Sequence, residues 1–192
     1  MLWAGMTVPL DREAVVAEYR RNCAELESTL AGISSEALHR RSAGTRWTNE
    51  ELLYHMVFGY VVVLALLPLV RTFGRLPVPV NRAFARLLNA GTGPFDVVNY
   101  WGSRGGARIV NRRRMAGTLR RVTSALERRL LRETESGLAR RMYFPTRWDP
   151  FFTEIMTLAD VYAYPVAHFD FHAAQLSVEA DPGRSTEPPK VK

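Results

Sequence analysis

Apolar positions recur at spacings of three and four in four long stretches of the chain, whereas the alternating pattern of β-strands is nearly absent. The first stretch predicts a helix from about Asp11 to Ala31, with Asp11 as its N-cap and Gly32 at its end. Cys23 falls on the apolar stripe of this helix, so we interpret it as a small core residue. The pattern as a whole predicts an all-α protein.

The second helix has a clear start. Thr48 and Glu51 have the spacing of a capping box, in which each side chain pairs with a free backbone N–H group of the other residue. The run from Leu52 to Val70 carries no formally charged residue, and about 20 apolar residues are enough to span a bilayer. However, His55 lies near its start and Pro68 near its end. We therefore favour a buried core helix over a membrane-inserted or membrane-lying one.

Residues 71–105 are rich in proline, glycine and other turn formers, which predicts an irregular connection. Short helices are expected in it from about Asn81 to Leu88 and from Pro94 to Trp101. The third long helix is predicted from about Ala107 to Glu133, with leucine and valine residues inward and arginines outward. A connection of this length joins opposite ends of a bundle or covers a site.

The fourth helix is predicted to open at Asp149 and Pro150, as N-cap and first helical residue. Its core stripe would begin at Phe151, and Pro165 should kink it about one turn before His168. The predicted organisation is an N-terminal extension (1–10), a four-helix bundle (11–177) and a polar, proline-rich disordered tail (178–192).

The net charge is +7, and its excess is local. Between Arg104 and Arg132 the chain has ten arginines and a single acidic residue, Glu127. This stripe is typical of a solvated helix face, although contact with an anionic surface is an open alternative. No nucleic-acid motif accompanies it, so nucleic-acid binding is not expected.

No secretory signal is evident and the cysteine is alone, so we expect a cytoplasmic protein, with peripheral membrane association and homodimerisation left open.

Three of the four histidines occupy helical positions that suit a metal site. His168 and His172 are four residues apart, so they share one helix face, but such a pair alone is a weak signal. His55 lies one turn inside the most apolar helix, where an unpaired ring nitrogen would cost about 1–3 kcal/mol. A metal ion would remove that cost. The alternative is a core histidine bonded to a carbonyl group or to Tyr54 or Tyr60. His39 lies in a polar segment and is left out.

Two segments resemble those of a known family. RWTNEELLYH, Arg46 to His55, is similar to the tryptophan and histidine at the second helix of the DinB-like superfamily of four-helix bundles. AHFDFHAAQL, Ala167 to Leu176, is similar to the HxxxHxxQ ending of that family's last helix. With four long helices and a long connection between the second and third, the resemblance covers roughly residues 11–177. The superfamily includes bacterial thiol S-transferases and the mycothiol-dependent maleylpyruvate isomerase.

The resemblance implies a divalent ion, zinc or nickel, held by His55, His168 and His172, with at least one coordination position open. It also implies a small-molecule substrate and a low-molecular-weight thiol such as mycothiol as cosubstrate. The expected activity is transfer of that thiol to a small electrophile, or a related hydrolysis. The alternative is a non-catalytic bundle that binds a metal or a small ligand, with or without contact to a membrane surface.

Four further residues are weaker candidates. Gln175 lies one turn past His172 and could support it, or could be an ordinary polar residue at a helix end. Glu51 could orient a histidine or act as a base, but its capping role explains it without catalysis. Tyr164 could line the pocket and, like Glu51, is a weak catalytic candidate. Arg46 could bind an anionic substrate.

Overall fold

The computed structural model describes residues 10–177, and the predictions made for 1–9 and for the tail at 178–192 lie outside the described residues. Within this part of the chain the protein is all-α apart from one pair of short strands. Its elements, in chain order, are α1 (Arg12–Gly32), α2 (Ser35–His39), α3 (Asn49–Phe73), α4 (Val78–Ala90), α5 (Thr92–Ile109), α6 (Arg112–Leu130), α7 (Glu135–Leu138), β1 (Arg141–Tyr143), β2 (Ile155–Thr157) and α8 (Leu158–Ala173).

The four long helices α1, α3, α6 and α8 form the bundle. Helix α3 packs against both α6 and α8, and α1 packs against the same two helices from the other side, so α1 and α3 lie diagonally opposite each other. Helix α5 packs on the outer side of α3, and α4 packs on β1. The predicted four-helix bundle with a long connection between its second and third long helices is therefore confirmed.

Local sequence determines where the bundle helices begin. The Asp11 carboxylate accepts a hydrogen bond from the Ala14 N–H group (3.0 Å), and Thr48 with Glu51 forms the predicted capping box at α3. A second capping box, formed by Thr157 and Asp160, begins α8. These caps satisfy backbone N–H groups that the first helical turn leaves without partners.

Hydrogen-bonded tyrosines join the diagonal helices in the core. The Tyr19 hydroxyl donates to the backbone carbonyl of Tyr162 (2.6 Å), and its ring meets the ring of Tyr60 edge-on. Asn22 donates to the Tyr60 hydroxyl (2.8 Å). Cys23 is half-buried beside these residues, as predicted for a core position. Both tyrosine hydroxyls are thus paired in the core, which limits the cost of burying them, whereas the side-chain oxygen of Asn22 has no partner among the described residues.

The segment predicted to be irregular is mostly helical, and the predicted third helix is interrupted. Helices α4 and α5 occupy most of residues 78–109. A proline in the first turn of a helix is tolerated because the N–H group that it lacks would have no partner there. In α5, a glycine is tolerated because it allows the helix to approach α3 closely. Residues 107–109 belong to α5, and the chain is extended at Asn111 before α6 begins. The third long helix therefore starts at Arg112 rather than Ala107, and ends at Leu130.

The prediction that the fourth helix opens at Asp149 is wrong. Asp149 and Pro150 lie in a loop, and β2 pairs antiparallel with β1, with Met156 opposite Met142. The helix begins only at Leu158, after the Thr157 cap. The phenylalanines that suggested a helical stripe pack from the loop instead, Phe152 against Phe144 and Phe151 against Phe171.

Among the described residues, α3 is the one helix long and apolar enough to cross a membrane. Half of its most apolar stretch is buried inside the bundle, where it contacts α5, α6 and α8. Its N-terminal half is almost completely enclosed, with Leu52 and Leu53 fully buried, whereas Leu66 and Leu69 in its C-terminal half are partly exposed. This burial is compatible with a core helix of a soluble protein.

Candidate metal centre

Packing of α3 against α8 brings three histidine side chains together. His55 extends from the second turn of α3, and His168 and His172 extend from successive turns of α8. The Nε2 atoms of His55 and His168 are 3.2 Å apart, and one nitrogen from each of the three rings lies within 4.8 Å of the other two. His55 and His168 are buried, and His172 is partly buried.

A hydrogen-bond chain fixes the tautomer of His55. The Ser103 hydroxyl donates its only hydrogen to the backbone carbonyl of Asn99 (2.8 Å). Its oxygen therefore accepts from Nδ1 of His55, which is 2.9 Å away. In a neutral imidazole this leaves Nε2 without a proton, so the lone pair of His55 points toward His168.

Gln175 holds His172 in the same way. Its side-chain oxygen lies 2.7 Å from Nδ1 of His172 and accepts a hydrogen bond from it, which leaves Nε2 free to act as a ligand. His168 differs, because its Nδ1 is buried and has no hydrogen-bond partner among the described residues. That atom faces the backbone of α3 at Gly59, where an added Cβ would lie only 2.7 Å from it.

The surroundings keep all three rings neutral. Burial, followed by the neighbouring rings His168 and His172, lowers the pKa of His55 well below its usual value. Burial and His172 lower the pKa of His168 to about 3. Burial also lowers the pKa of His172, although Gln175 and Asp149 partly oppose this shift. Neutral imidazole is the form that binds metal ions, so no proton has to be displaced near pH 7.

The nitrogen positions fit a first-row divalent ion. Two nitrogen ligands that each lie about 2.0–2.1 Å from zinc at tetrahedral angles are about 3.3 Å apart. The separation of 3.2 Å between the Nε2 atoms of His55 and His168 agrees with this value. Three neutral nitrogen donors, two of them oriented by partners on Nδ1, are a ligand set that suits zinc or nickel.

Aromatic side chains enclose one side of the cluster. The Trp47 ring stacks on His55 with centroids 4.4 Å apart and meets His172 edge-on at 6.3 Å. Tyr100 of α5 stacks on the outer side of Trp47 at 6.3 Å. The Arg46 guanidinium lies over the Tyr100 ring, 4.7 Å from its centroid, so it is separated from the histidines by two rings.

The two weak catalytic candidates have different environments. One oxygen of Glu51 accepts from the Thr48 N–H group and the other from Arg104 (3.0 Å), so both are occupied by structural contacts. The Tyr164 ring lies 5.6 Å from His168, and its hydroxyl donates to Asp149 (2.7 Å). Tyr164 therefore lies at the cluster, whereas Glu51 has the surroundings of a capping residue.

Sequence reasoning missed Ser103 and Asp149. Ser103 comes from α5, in a segment that its proline and glycine content marked as irregular, and no local pattern links it to His55. Asp149 was interpreted as a helix cap. Burial raises the pKa of Asp149, while the Phe151 N–H group, the Tyr164 hydroxyl and His172 lower it in part. The partly buried carboxylate thus belongs to the surroundings of His172. Asp170 is exposed and pairs with Arg21 (2.8 Å), away from the cluster.

The fold and the cluster together define a class of protein: an all-α bundle in which two packed helices present three imidazoles to one point. The family model of the DinB superfamily matches residues 18–176, which include both histidine segments and the α4–α5 connection, and the chain belongs to this superfamily. No curated protein and no solved structure matches the chain significantly.

Proposed function

We propose that His55, His168 and His172 hold a divalent cation, zinc or nickel, and that the protein transfers a low-molecular-weight thiol to a small electrophile. The observation that carries this proposal is the convergence of three neutral ring nitrogens, two of them with tautomers fixed by Ser103 and Gln175. Membership of the DinB superfamily supports it. Because a family does not fix a substrate, the chemistry is argued from the residues around the cluster.

In the proposed reaction the thiol loses its proton, and the sulfur forms a bond to the electrophilic carbon. In a substitution, the bond from that carbon to the leaving group breaks, and its electron pair departs with the leaving group. In an addition, the π bond of the electrophile breaks instead, and the resulting anion takes up a proton. A cation bound by three histidines would supply positive charge and at least one open position, and would lower the pKa of an approaching thiol. A thiolate attacks far faster than a thiol, so this site suits such chemistry.

Residues of the chain would perform the remaining tasks. Trp47 covers one side of the cluster and would exclude water from it. Tyr164 and Asp149 form a hydrogen-bonded pair beside His168 and His172, and we assign to this pair the acceptance of the thiol proton. Burial raises the pKa of Asp149, which makes its carboxylate a stronger base. Glu51 is a poorer acceptor, because one of its oxygens is ion-paired with Arg104 and the other caps the Thr48 N–H group.

The activity is tested by incubating the metal-loaded protein with a thiol and a haloarene and following the loss of free thiol. We expect thiol loss well above the uncatalysed background for wild type and for His39→Ala, whose histidine is exposed and bonds the Ser35 carbonyl outside the cluster. His172→Ala should return the rate to background. If wild type carries metal but consumes no thiol, the protein is a non-catalytic metal-binding bundle and the proposed activity is wrong.

A further inference from the structure

Helix α5 has an unusual outer face. Among the described residues, Val97, Val98, Trp101 and Ile109 are each more than half exposed, at 58%, 67%, 59% and 71%. Large apolar side chains are scattered singly on most protein surfaces, whereas four on one side of a single helix are a concentration typical of an interaction surface. We define these four residues as the outer face of α5.

The orientation of α5 is fixed by its inner face. Ser103 and Ala107 are buried against α3, and Gly106 lies so close to Tyr54 that an added Cβ would be 2.1 Å from its ring. At 100° per residue, Trp101 lies on the opposite side of the helix from Ser103. Asp96, the acidic residue of α5, is exposed, but it precedes Ser103 by seven residues and therefore lies on the same side of the helix as Ser103 rather than beside Trp101. The outer face thus carries no acidic residue.

Positive charge is concentrated in the segment of the chain that contains this face. From Arg71 to Arg121 the chain has eleven arginines and one acidic residue, Asp96, although the remainder of the chain is slightly acidic. Arg108 lies on the exposed side of α5, and Arg113 and Arg114 follow within the first turn of α6. The side chains of all three are exposed and have no hydrogen-bond or ion-pair partner among the described residues. Other arginines of the segment have structural roles, for example Arg112, which donates to the Leu30 carbonyl.

We propose that the outer face of α5 docks on an anionic lipid bilayer surface, with Trp101 at the level of the headgroups and Arg108, Arg113 and Arg114 facing the lipid phosphates. The outer face of α5 combines exposed apolar side chains with the exposed Arg108, which is the combination that interfacial helices use, and Arg113 and Arg114 add positive charge from the adjoining start of α6. Tryptophan prefers the boundary between headgroups and acyl chains. The proposal is independent of the metal centre and of the proposed reaction.

Charge argues against a second copy of the chain as the occupant. Two copies that met through this face would bring two sets of unpaired arginines together, and like charges without counter-charges repel. An anionic bilayer supplies the opposite charge and an apolar layer at once. Docking would also place α5 between the lipid surface and the candidate metal centre, since Ser103 on its inner face holds His55.

The proposal is tested by co-sedimentation of the full chain with vesicles. One set contains phosphatidylglycerol and phosphatidylcholine, and the other contains phosphatidylcholine alone. We expect binding to the anionic vesicles only, with an affinity that falls as salt is added. Trp101→Ser should weaken it on the order of tenfold, and Arg108→Gln and Arg113→Gln about fivefold each.

Matched controls use residues of the same type elsewhere. Leu131→Ser removes another apolar side chain that is more than half exposed, and Arg132→Gln removes an exposed arginine in the turn after the end of α6. Neither should change binding. Trp101→Phe should keep most of the binding but lose most of the fluorescence quenching by brominated lipid. Equal binding to both vesicle types, equal effects of control and test variants, or a wild-type dimer that Trp101→Ser dissociates would each overturn the proposal.

Discussion

At the scale of single residues, the position of His168 depends on a glycine. Gly59 lies one turn after His55 on α3, and the His168 ring rests against its Cα because no side chain intervenes. The sequence predicted which histidines to consider, through their spacing on α8 and the resemblance at Arg46–His55. It did not reveal that Gly59 provides the space or that Ser103 fixes the tautomer of His55, because both relations depend on how separate helices pack.

Gly59→Ala should weaken metal binding without removing a ligand. The new Cβ would lie 2.7 Å from Nδ1 of His168, so the ring must move away from His55. We expect an affinity at least about tenfold lower, the size of effect that lost ligand orientation produces, measured by competition with a metal indicator.

Gly117→Ala is the control, because this glycine lies inside α6 and nothing is within 4 Å of an added Cβ. It should leave metal affinity unchanged and stabilise the fold by about 0.5–1 kcal/mol. Equal metal affinity in Gly59→Ala and wild type would show that His168 does not need its observed position.

At the scale of elements, α5 forms an outer wall of the candidate centre. Its inner residues contact α3, and its Tyr100 stacks on Trp47. The caps at α1 and α3 were predictable because a capping residue and its partner are three residues apart. The pairing of β2 with β1 was not predictable from the sequence, because the paired residues Met142 and Met156 are separated by a loop and each strand is only three residues long. Helices α4 and α5 were predicted as shorter segments than the structure has, because prolines in a first turn and exposed or closely packed glycines resemble turn signals.

Two adjacent glycines of α5 should respond oppositely to alanine. A Cβ at Gly106 would lie 2.1–2.4 Å from atoms of the Tyr54 side chain, so either this ring or α5 must move from its packed position. Gly106→Ala should lower the free energy of unfolding by about 1–3 kcal/mol. At Gly105 nothing lies within 4 Å, and Gly105→Ala should raise it by about 0.5–1 kcal/mol.

Chemical denaturation of both variants under the same conditions gives the comparison. Similar midpoints for Gly105→Ala and Gly106→Ala would contradict the close approach of α5 to α3. Of the two variants, only Gly106→Ala is also expected to bind metal more weakly. The reason is that Ser103, which forms a hydrogen bond with His55, lies one turn away on the same helix.

At the scale of the whole molecule, the bundle joins distant parts of the chain at one point. His55 lies near the start of α3 and His172 near the end of α8, more than a hundred residues later, yet their rings are 4.7 Å apart. Helical periodicity predicted the long helices and the all-α class, because burying one apolar stripe per helix is a local requirement. Which helices would be neighbours followed only from the resemblance, since periodicity alone does not specify pairing.

The central claim is that three histidines from α3 and α8 bind one cation, and metal content per chain tests it most directly. We predict about one zinc or nickel ion per purified wild-type chain, as a three-histidine site requires. His39→Ala should retain that content, because its histidine is exposed outside the cluster. His172→Ala should lose most of it while keeping its helical circular dichroism. The same trace amount of metal in wild type and His172→Ala would contradict the account.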